Sequence, residues 1–327
     1  MRIVTIEEHI SFPELTKLLP AEVLAAFGQS PAMQQILPKL ADVTGERLKS
    51  MDDNGISVQV LSVDSFGAGL LSKEKAPAFA TLYNDTIAQK IAAHPDRFRA
   101  FAHLPVSAPL AAADELERAV KNYGFCGAMI RGLTDELFLD NPMFAPILER
   151  AERLNVPVYI HPGLPPKSVV DAYYSNVGPL SGYFEPLGCY GWGWHSETAI
   201  HVLRLLAGGI FDQYPKLKII IGHMGEMLPM MVARSERAFK PGNGGANQRT
   251  LSDTFRDQLY ITTSGFFTQA PFKLAMDTFG EDNIMFSVDY PFSTNEMGID
   301  FLNNTDLSAE KIEKIAHGNA DRILKLV

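Results

Sequence analysis

The strongest constraint on the fold is a repeated pairing of one short apolar run with one longer segment of helical spacing. The runs are rich in residues that favour strands, and apolar residues recur every three or four positions in the longer segments. The pairing occurs eight times. The predicted strands are residues 3–10, 56–63, 98–104, 126–132, 157–162, 217–223, 259–265 and 284–291. The predicted helices lie near residues 42–53, 75–94, 109–123, 142–154, 197–213, 226–239, 269–279 and 308–326.

The predicted strands are continuously apolar, unlike strands that keep one face in water. Continuous runs are typical of parallel strands covered by helices. Eight strand–helix units of this kind predict a (β/α)8 TIM barrel. An open, doubly wound sheet is the alternative, but it often carries a glycine-rich loop after its first strand, and here that strand ends in Glu7-Glu8-His9.

Helix-boundary signals support this arrangement of elements. Pro142 follows Asn141 at the favoured first position of a helix, Ser308 precedes acidic residues of a first turn, and Gly124 ends another helix.

Two predicted connections are unusually long, at residues 11–41 and 163–196. Long loops at the carboxyl ends of barrel strands commonly build the substrate pocket. The second insertion is rich in aromatic residues, which suit a flat ligand, although a packed lid or a subunit contact would explain them equally well. They are Tyr173, Tyr174, Tyr183, Phe184, Tyr190, Trp192 and Trp194. We see no internal repeat or linker, so we predict a single domain over residues 1–327.

Composition excludes several classes of function. Hydrophobic residues make up 46% and charged residues 20%, as in ordinary globular proteins. The formal net charge of −9 argues against a nucleic-acid or anionic membrane surface. The first residues carry two acids where a signal peptide would be apolar, and no apolar run is long enough to cross a bilayer. We expect a cytoplasmic protein.

Residues that can bind metals lie at the ends of several predicted strands. Glu7 and His9 are two positions apart, so an extended strand places both side chains on one face. His161, His223 and Asp289 end the fifth, sixth and eighth runs. A hydrogen-bonded core residue would explain any one histidine. Buried charges cost free energy unless they are paired or metal-bound, so the convergence predicts a divalent metal site.

Longer motifs carry a family resemblance. They are IEEH at 6–9, MDDNGISVQVLS at 51–62, FLDNPMFAPILERAERLNVPVYIHP at 138–162, ETAIHVLRLLAGGIFDQYPKLKIIIGHMGEMLP at 197–229, ITTSG at 261–265 and IMFSVDYPF at 284–292. The chain resembles the amidohydrolase superfamily, in particular its decarboxylase branch, typified by 2,3-dihydroxybenzoate and gamma-resorcylate decarboxylases. Glu-x-His in this branch replaces the His-x-His of the wider superfamily.

The resemblance implies a ligand set and a reaction. Glu7, His9, His161 and Asp289 would bind one metal ion. A set of two imidazoles and two carboxylates suits Zn²⁺ or Mn²⁺ and is ill-suited to Ca²⁺. The implied reaction is non-oxidative decarboxylation of a hydroxylated aromatic, or related unsaturated, carboxylic acid. Asp289 would protonate the ring carbon, with His223 and Glu226 as an acid–base and orienting pair.

Three further residues are predicted to bind substrate. Arg131, at the end of the fourth run, could hold a second anionic group by bidentate hydrogen bonds, and a structural ion pair is the alternative. Trp194 and His195 belong to the aromatic insertion, although a loop histidine is as often simply solvated. Arg131 and Asp64 both depart from the pattern of the branch, which leaves the identity of the substrate open.

Two other functions remain open. A hydrolase of the same superfamily, cleaving a lactone, ester or amide with metal-activated water, would use the same ligands. Glu-x-His favours the decarboxylase over this alternative. A non-catalytic barrel would be expected to lack a ligand, and none is missing. The aromatic insertion also leads us to expect a homodimer or homotetramer.

Overall fold

The structure is a computed structural model that describes residues 1–21, 31–64, 67–175 and 184–327. The described strands form two parallel sheets, one with the order β1-β2-β3 and one with the order β4-β5-β6-β7-β8-β9. Their bounds are β1 Val4–Ile10, β2 Val58–Val63, β3 Phe98–Ala100, β4 Ala102–His103, β5 Ala128–Arg131, β6 Val158–His161, β7 Ile219–Ile221, β8 Leu259–Thr262 and β9 Ile284–Met285.

Helices separate most consecutive strands, as expected for a mixed α/β fold with parallel sheets. The described α-helices are Pro13–Thr16, Pro31–Ala41, Glu46–Asp53, Ala76–Ile91, Pro109–Tyr123, Ala145–Leu154, Lys167–Val169, Phe184–Gly188, Gly193–Ala207, Ile210–Gln213, Leu228–Ala238, Leu251–Gln258, Gln269–Phe279, Asn295–Asn303, Ala309–Glu313 and Asn319–Leu324. Short 3-10 turns are Gly67–Leu70, Pro142–Phe144 and His223–Gly225, and π-helical turns are Val170–Tyr174 and Lys314–Gly318. Within the described ranges, no helix combines the length and the apolarity that a membrane crossing needs.

Each of the eight predicted runs contains an observed strand, but the third run is divided. The division falls at Phe101, whose backbone N–H donates to the carbonyl of Leu61. The N–H of Ala102 donates instead to the carbonyl of Gly127. The chain therefore changes its hydrogen-bonding neighbour at this point, which separates β3 and β4 and leaves two sheets.

The predicted helix boundaries are confirmed where a local signal marks them. The Asn141 side chain accepts a hydrogen bond from the N–H of Met143, and the Ser308 side chain accepts one from Lys311. Gly124 ends its helix with a φ of 67°. The helix Pro31–Ala41, inside the first long insertion, was not predicted; it contains a proline, which normally argues against a helix interior.

The strands are apolar on both sides because both faces are buried. In β7, Ile219 and Ile221 pack in the larger hydrophobic cluster, whereas Ile220 between them packs in a second cluster with residues of the other strands. All seven residues of β1 are buried. Parallel pairing also brings the carboxyl ends of the strands to one edge, where the predicted ligands lie. The N–H of His9 donates to the carbonyl of Tyr290 at 2.7 Å, which joins the segment after β9 to β1.

Candidate metal centre and acid–base cluster

Glu7, His9 and His161 meet at the carboxyl edge of the strands. Glu7 is fully buried, and its Oε1 lies 3.2 Å from Nε2 of His161 and 3.9 Å from Nε2 of His9. One potential ligand atom from each of the three residues lies within 4.8 Å of the others. Side chains alternate between the two faces of a strand, so Glu7 and His9 lie on the same face of β1. The strand order brings His161, at the end of β6, next to them.

Contacts to the Nδ1 atoms of His161 and His9 orient both imidazole rings. Nδ1 of His161 is 2.8 Å from the carbonyl of Pro162, which can only accept, so Nδ1–H donates and Nε2 keeps its lone pair. Nδ1 of His9 is 3.0 Å from Oγ of Ser62, the residue opposite His9 in the β1–β2 register. Burial, reinforced by the charge of Arg131, lowers the pKa of His161 to about 4 and the pKa of His9 well below its ordinary value. These shifts favour the neutral form of each ring, which is the form that metal binding requires.

Two atoms at this centre are buried without a hydrogen-bond partner among the described residues, Oε1 of Glu7 and Nε2 of His9. Oδ1 of Asp289 lies 3.1 Å from Nε2 of His9, although the pair does not make a hydrogen bond. Ligand atoms bound at about 2.1 Å to one Zn²⁺ or Mn²⁺ ion lie about 3 Å from their neighbours. The donor atoms of Glu7, His9 and His161 fit such an ion, because they are close and buried and two of them are otherwise unpaired.

The other oxygen of Glu7 is held by residues that the sequence did not single out. The hydroxyl of Tyr159 donates to Oε2 of Glu7, and Oγ1 of Thr262 lies 3.4 Å from the same oxygen. A Cβ at Gly222 would lie 2.6 Å from Oε2. Burial alone would raise the pKa of Glu7, but His223 and His161 lower it below its ordinary value. One signal was available: Tyr159 precedes His161 by two positions, so both face the same side of β6.

Asp289 is partly buried and has a φ of 72°, a conformation that costs free energy for a residue other than glycine. The residues before and after Asp289 are anchored to one side chain. The backbone N–H groups of Val288 and Tyr290 donate to the Glu8 carboxylate at 3.1 and 3.0 Å. Glu8 thus points away from Glu7, as the strand period predicts. Burial and the negative charge of Glu7 raise the pKa of Asp289 well above its ordinary value, against the opposing effects of His223 and Arg131.

His223, Glu226 and His195 form a second cluster beside the first. Nδ1 of His223 lies 2.7 Å from Oε1 of Glu226, and Nδ1 of His195 lies 2.6 Å from Oε2. Nε2 of His223 faces Oε1 of Glu7 at 3.8 Å. Burial would lower the pKa of His223, but the carboxylates of Glu226 and Glu7 raise it to about 10. Burial would raise the pKa of Glu226, but His223 and His195 hold it below its ordinary value.

Arg131 ends β5 directly opposite His161 in the β5–β6 register. Its Nε donates to the carbonyl of Val63 at 3.3 Å, and one terminal nitrogen lies 3.5 Å from Oδ1 of Asp64. Burial raises the pKa of Asp64, and the charge of Arg131 partly offsets this effect. Arg131 also lines a cavity of ≈ 80 Å³ together with His103. The guanidinium therefore has a partial ion-pair partner and also borders an open space.

The residues of the aromatic insertion differ in how close they lie to the metal centre and in how exposed they are. The Trp194 ring lies 6.4 Å from the His161 ring, and its buried indole N–H has no hydrogen-bond partner among the described residues. Trp192 is 52% exposed and Tyr190 is 61% exposed. Both ring nitrogens of His195 contact protein acceptors, which differs from the predicted contact with substrate. Tyr183 lies outside the described residues.

A family model described as amidohydrolase matches residues 35–326. The chain belongs to the amidohydrolase family. This amidohydrolase is 39% identical over 303 residues, 89% of each sequence, to decarboxylase orsB of Emericella nidulans. It is 36% identical to a gamma-resorcylate decarboxylase of a Rhizobium species, across 99% of this chain and 98% of the relative. The family resemblance predicted from the motifs is confirmed.

A solved structure gives a closely similar fold. The dihydroxybenzoic acid decarboxylase of Polaromonas, with bound manganese and the inhibitor 2-nitroresorcinol, matches with a TM-score of 0.89 at 34% identity. The match covers 99% of this chain and 97% of that chain. All three relatives are therefore named as decarboxylases, two of them for hydroxylated aromatic acids, and the Polaromonas structure contains manganese.

Proposed function

We propose that this amidohydrolase is a metal-dependent, non-oxidative decarboxylase of a hydroxylated aromatic carboxylic acid. The observation that supports this most directly is the set of unpaired donor atoms on Glu7 and His9, with Asp289 at 3.1 Å from His9. The named relatives support the same reaction, since both curated examples are decarboxylases.

Glu7, His9, His161 and Asp289 are the residues that would hold the metal ion. The ion would be Zn²⁺ or Mn²⁺, and the manganese in the Polaromonas relative supports the latter. When bound, it would supply the positive charge that orients a carboxylate with an ortho hydroxyl group and offsets developing negative charge. Tyr159, by holding the second oxygen of Glu7, keeps the first one directed at the other ligands.

Asp289 would deliver the proton that the reaction consumes. In its protonated form it donates that proton to the ring carbon bearing the carboxylate. The bond from this carbon to the carboxylate then breaks, its electron pair restores the aromatic ring, and CO₂ leaves. Burial and the negative charge of Glu7 raise the pKa of Asp289, and this direction favours the protonated form that the step needs. His223, paired with Glu226, would return a proton to Asp289, while Trp194 and Arg131 would contact the ring and a further anionic substituent.

We also propose that the two sheets belong to one closed (β/α)8 barrel. The hydrogen bond from His9 to Tyr290 supports closure between the last and first strands, and the bond from Phe101 to Leu61 supports continuity at the other gap. The proposed assembly is a homodimer or a homotetramer in the cytoplasm.

The test combines metal content with CO₂ release. The purified protein would be loaded with Zn²⁺ or Mn²⁺ and assayed for CO₂ from a panel of ortho-hydroxybenzoates, including 2,6-dihydroxybenzoate. We expect bound metal and CO₂ release that is lost in Asp289→Asn and retained in Asp300→Asn, an exposed control on the next helix. Bound metal without CO₂ release across the panel would favour a hydrolase. Failure to bind metal would contradict the proposal.

A further inference from the structure

Both carboxylate oxygens of Glu226 contact imidazole rings. Its side chain is fully buried, Oε1 accepts from His223 at 2.7 Å, and Oε2 contacts His195 at 2.6 Å. Loss of either donor would leave a buried carboxylate oxygen unsatisfied, which costs free energy. The orientation of Glu226, and with it that of His223, therefore depends on the second imidazole.

The two ring nitrogens of His195 each have a partner in the protein. Nε2 lies 2.8 Å from the carbonyl of Tyr190, and a carbonyl only accepts, so this nitrogen donates. Nδ1 lies 2.6 Å from Oε2 of Glu226, and a carboxylate oxygen also accepts. Both ring nitrogens of His195 therefore face protein acceptors.

We propose that His195 is a positioning residue that holds Glu226, and through it His223, in the orientation needed to return a proton to Asp289. The role deepens the proposed decarboxylation and rests on it. It replaces the predicted contact between His195 and substrate. Because His195 also binds the carbonyl of Tyr190, it connects the aromatic insertion to the acid–base cluster, and the two hydrogen bonds can be tested separately.

A structural role would give a different pattern of effects. If His195 only anchored the insertion, the bond to Tyr190 would matter most. If it positions Glu226, the bond from Nδ1 would matter most. The two amides separate these bonds, since the Asn nitrogen lies near the position of Nδ1 and the Gln nitrogen lies near that of Nε2. Phe keeps a ring of similar size beside Phe266 and removes both donors.

The first measurement is the kinetics of CO₂ release by wild type, His195→Asn, His195→Gln and His195→Phe. We expect kcat to fall by about 10- to 100-fold in the Gln and Phe variants, and by much less in the Asn variant, with KM nearly unchanged. His94→Asn and His94→Gln are matched controls, because His94 precedes β3 at the opposite ends of the strands. A larger loss in Asn than in Gln, or a rise in KM alone, would overturn the proposal.

The second measurement needs no substrate. In protein with ¹⁵N-labelled histidine, the Nδ1 proton of His223 reports its hydrogen bond to Glu226. We expect this resonance to stay in place in His195→Asn and to shift or disappear in His195→Gln and His195→Phe. If it is unmoved in all three, the positioning role is wrong whether or not the protein is a decarboxylase. If it moves but no variant or wild type releases CO₂, only the proposed reaction fails.

Discussion

At the scale of single residues, the two oxygens of Glu7 have different environments. Oε2 is held by Tyr159 and Thr262, whereas Oε1 has no hydrogen-bond partner among the described residues. An unpaired buried carboxylate oxygen costs free energy, on the order of 1–3 kcal/mol or more. That cost is understandable if a cation compensates it. The residues that hold Oε2 therefore also orient Oε1 toward the site.

Gly222 provides a test of this environment. Gly222→Ala would place a Cβ 2.6 Å from Oε2 of Glu7 and 3.0 Å from the Tyr159 hydroxyl, so the carboxylate must move. We expect metal affinity to fall at least about tenfold and overpacking to cost about 1–3 kcal/mol. Metal titration and denaturant unfolding would measure both effects. Gly318→Ala is the control, since the nearest atom to its Cβ would be 3.6 Å away. Equal metal affinity in the two variants would contradict the expectation.

At the scale of elements, the helix Gly193–Ala207 joins the candidate site to the core. His195, in its first turn, contacts Glu226. His201, further along, is buried, and its Nε2 accepts a hydrogen bond from the N–H of Leu139 at 3.0 Å. That contact requires a neutral ring. Burial lowers the pKa of His201 from 6.5 to about 3.

The depressed pKa of His201 predicts an acid-dependent loss of stability. Between the folded and unfolded pKa values the unfolded chain binds more protons, so this contribution is complete above pH 6.5 and declines as the pH falls toward 3. From pH 7 to pH 5 we expect a loss of about 2 kcal/mol from this residue alone. Urea unfolding at both pH values would measure it.

His201→Gln is the comparison, because its side-chain oxygen can accept from Leu139 but does not titrate in this range. The variant should lose about 2 kcal/mol less than wild type over the same interval. The same pH dependence in both proteins would show that His201 is not the source of the acid sensitivity.

At the scale of the whole molecule, a bound cation should stabilise the fold, since its proposed ligands would come from β1, β6 and the segment after β9. At a free metal concentration 100 times its dissociation constant, we expect about 2.7 kcal/mol, or roughly 4 °C in Tm. Calorimetry of chelator-treated protein, before and after Mn²⁺ is added, would measure this shift. The shift should persist in His94→Ala and vanish in His161→Ala; an equal shift in both would remove His161 from the ligand set.

The assembly is a second prediction at this scale. Aromatic residues of the insertion remain exposed, including Tyr173 at 70% and Trp192 at 52%. Exposed aromatic side chains are enriched at protein interfaces. We expect light scattering to show a dimer or a tetramer, and Trp192→Ser to weaken it. A monomer at micromolar concentration would contradict the expectation.

The single domain over residues 1–327 and the cytoplasmic location stay predictions.

The sequence by itself determined the elements that depend on local pattern. Continuous apolar runs located the strands, and Asn141, Gly124 and Ser308 marked helix boundaries, because capping and periodicity involve residues only a few positions apart. The period of two placed Glu7 and His9 on one face and Glu8 on the other. The family motifs were long enough to indicate the reaction.

Only the tertiary structure decided the contacts between distant residues. Tyr159 and Glu7 are 152 positions apart, and His195 and Glu226 are 31 apart, so their hydrogen bonds follow from strand order and loop path, which no local pattern encodes. The break at Phe101 likewise depends on which neighbour accepts each N–H. Side-chain chemistry is local and can be read from the chain, but the partner that each group meets is fixed by packing.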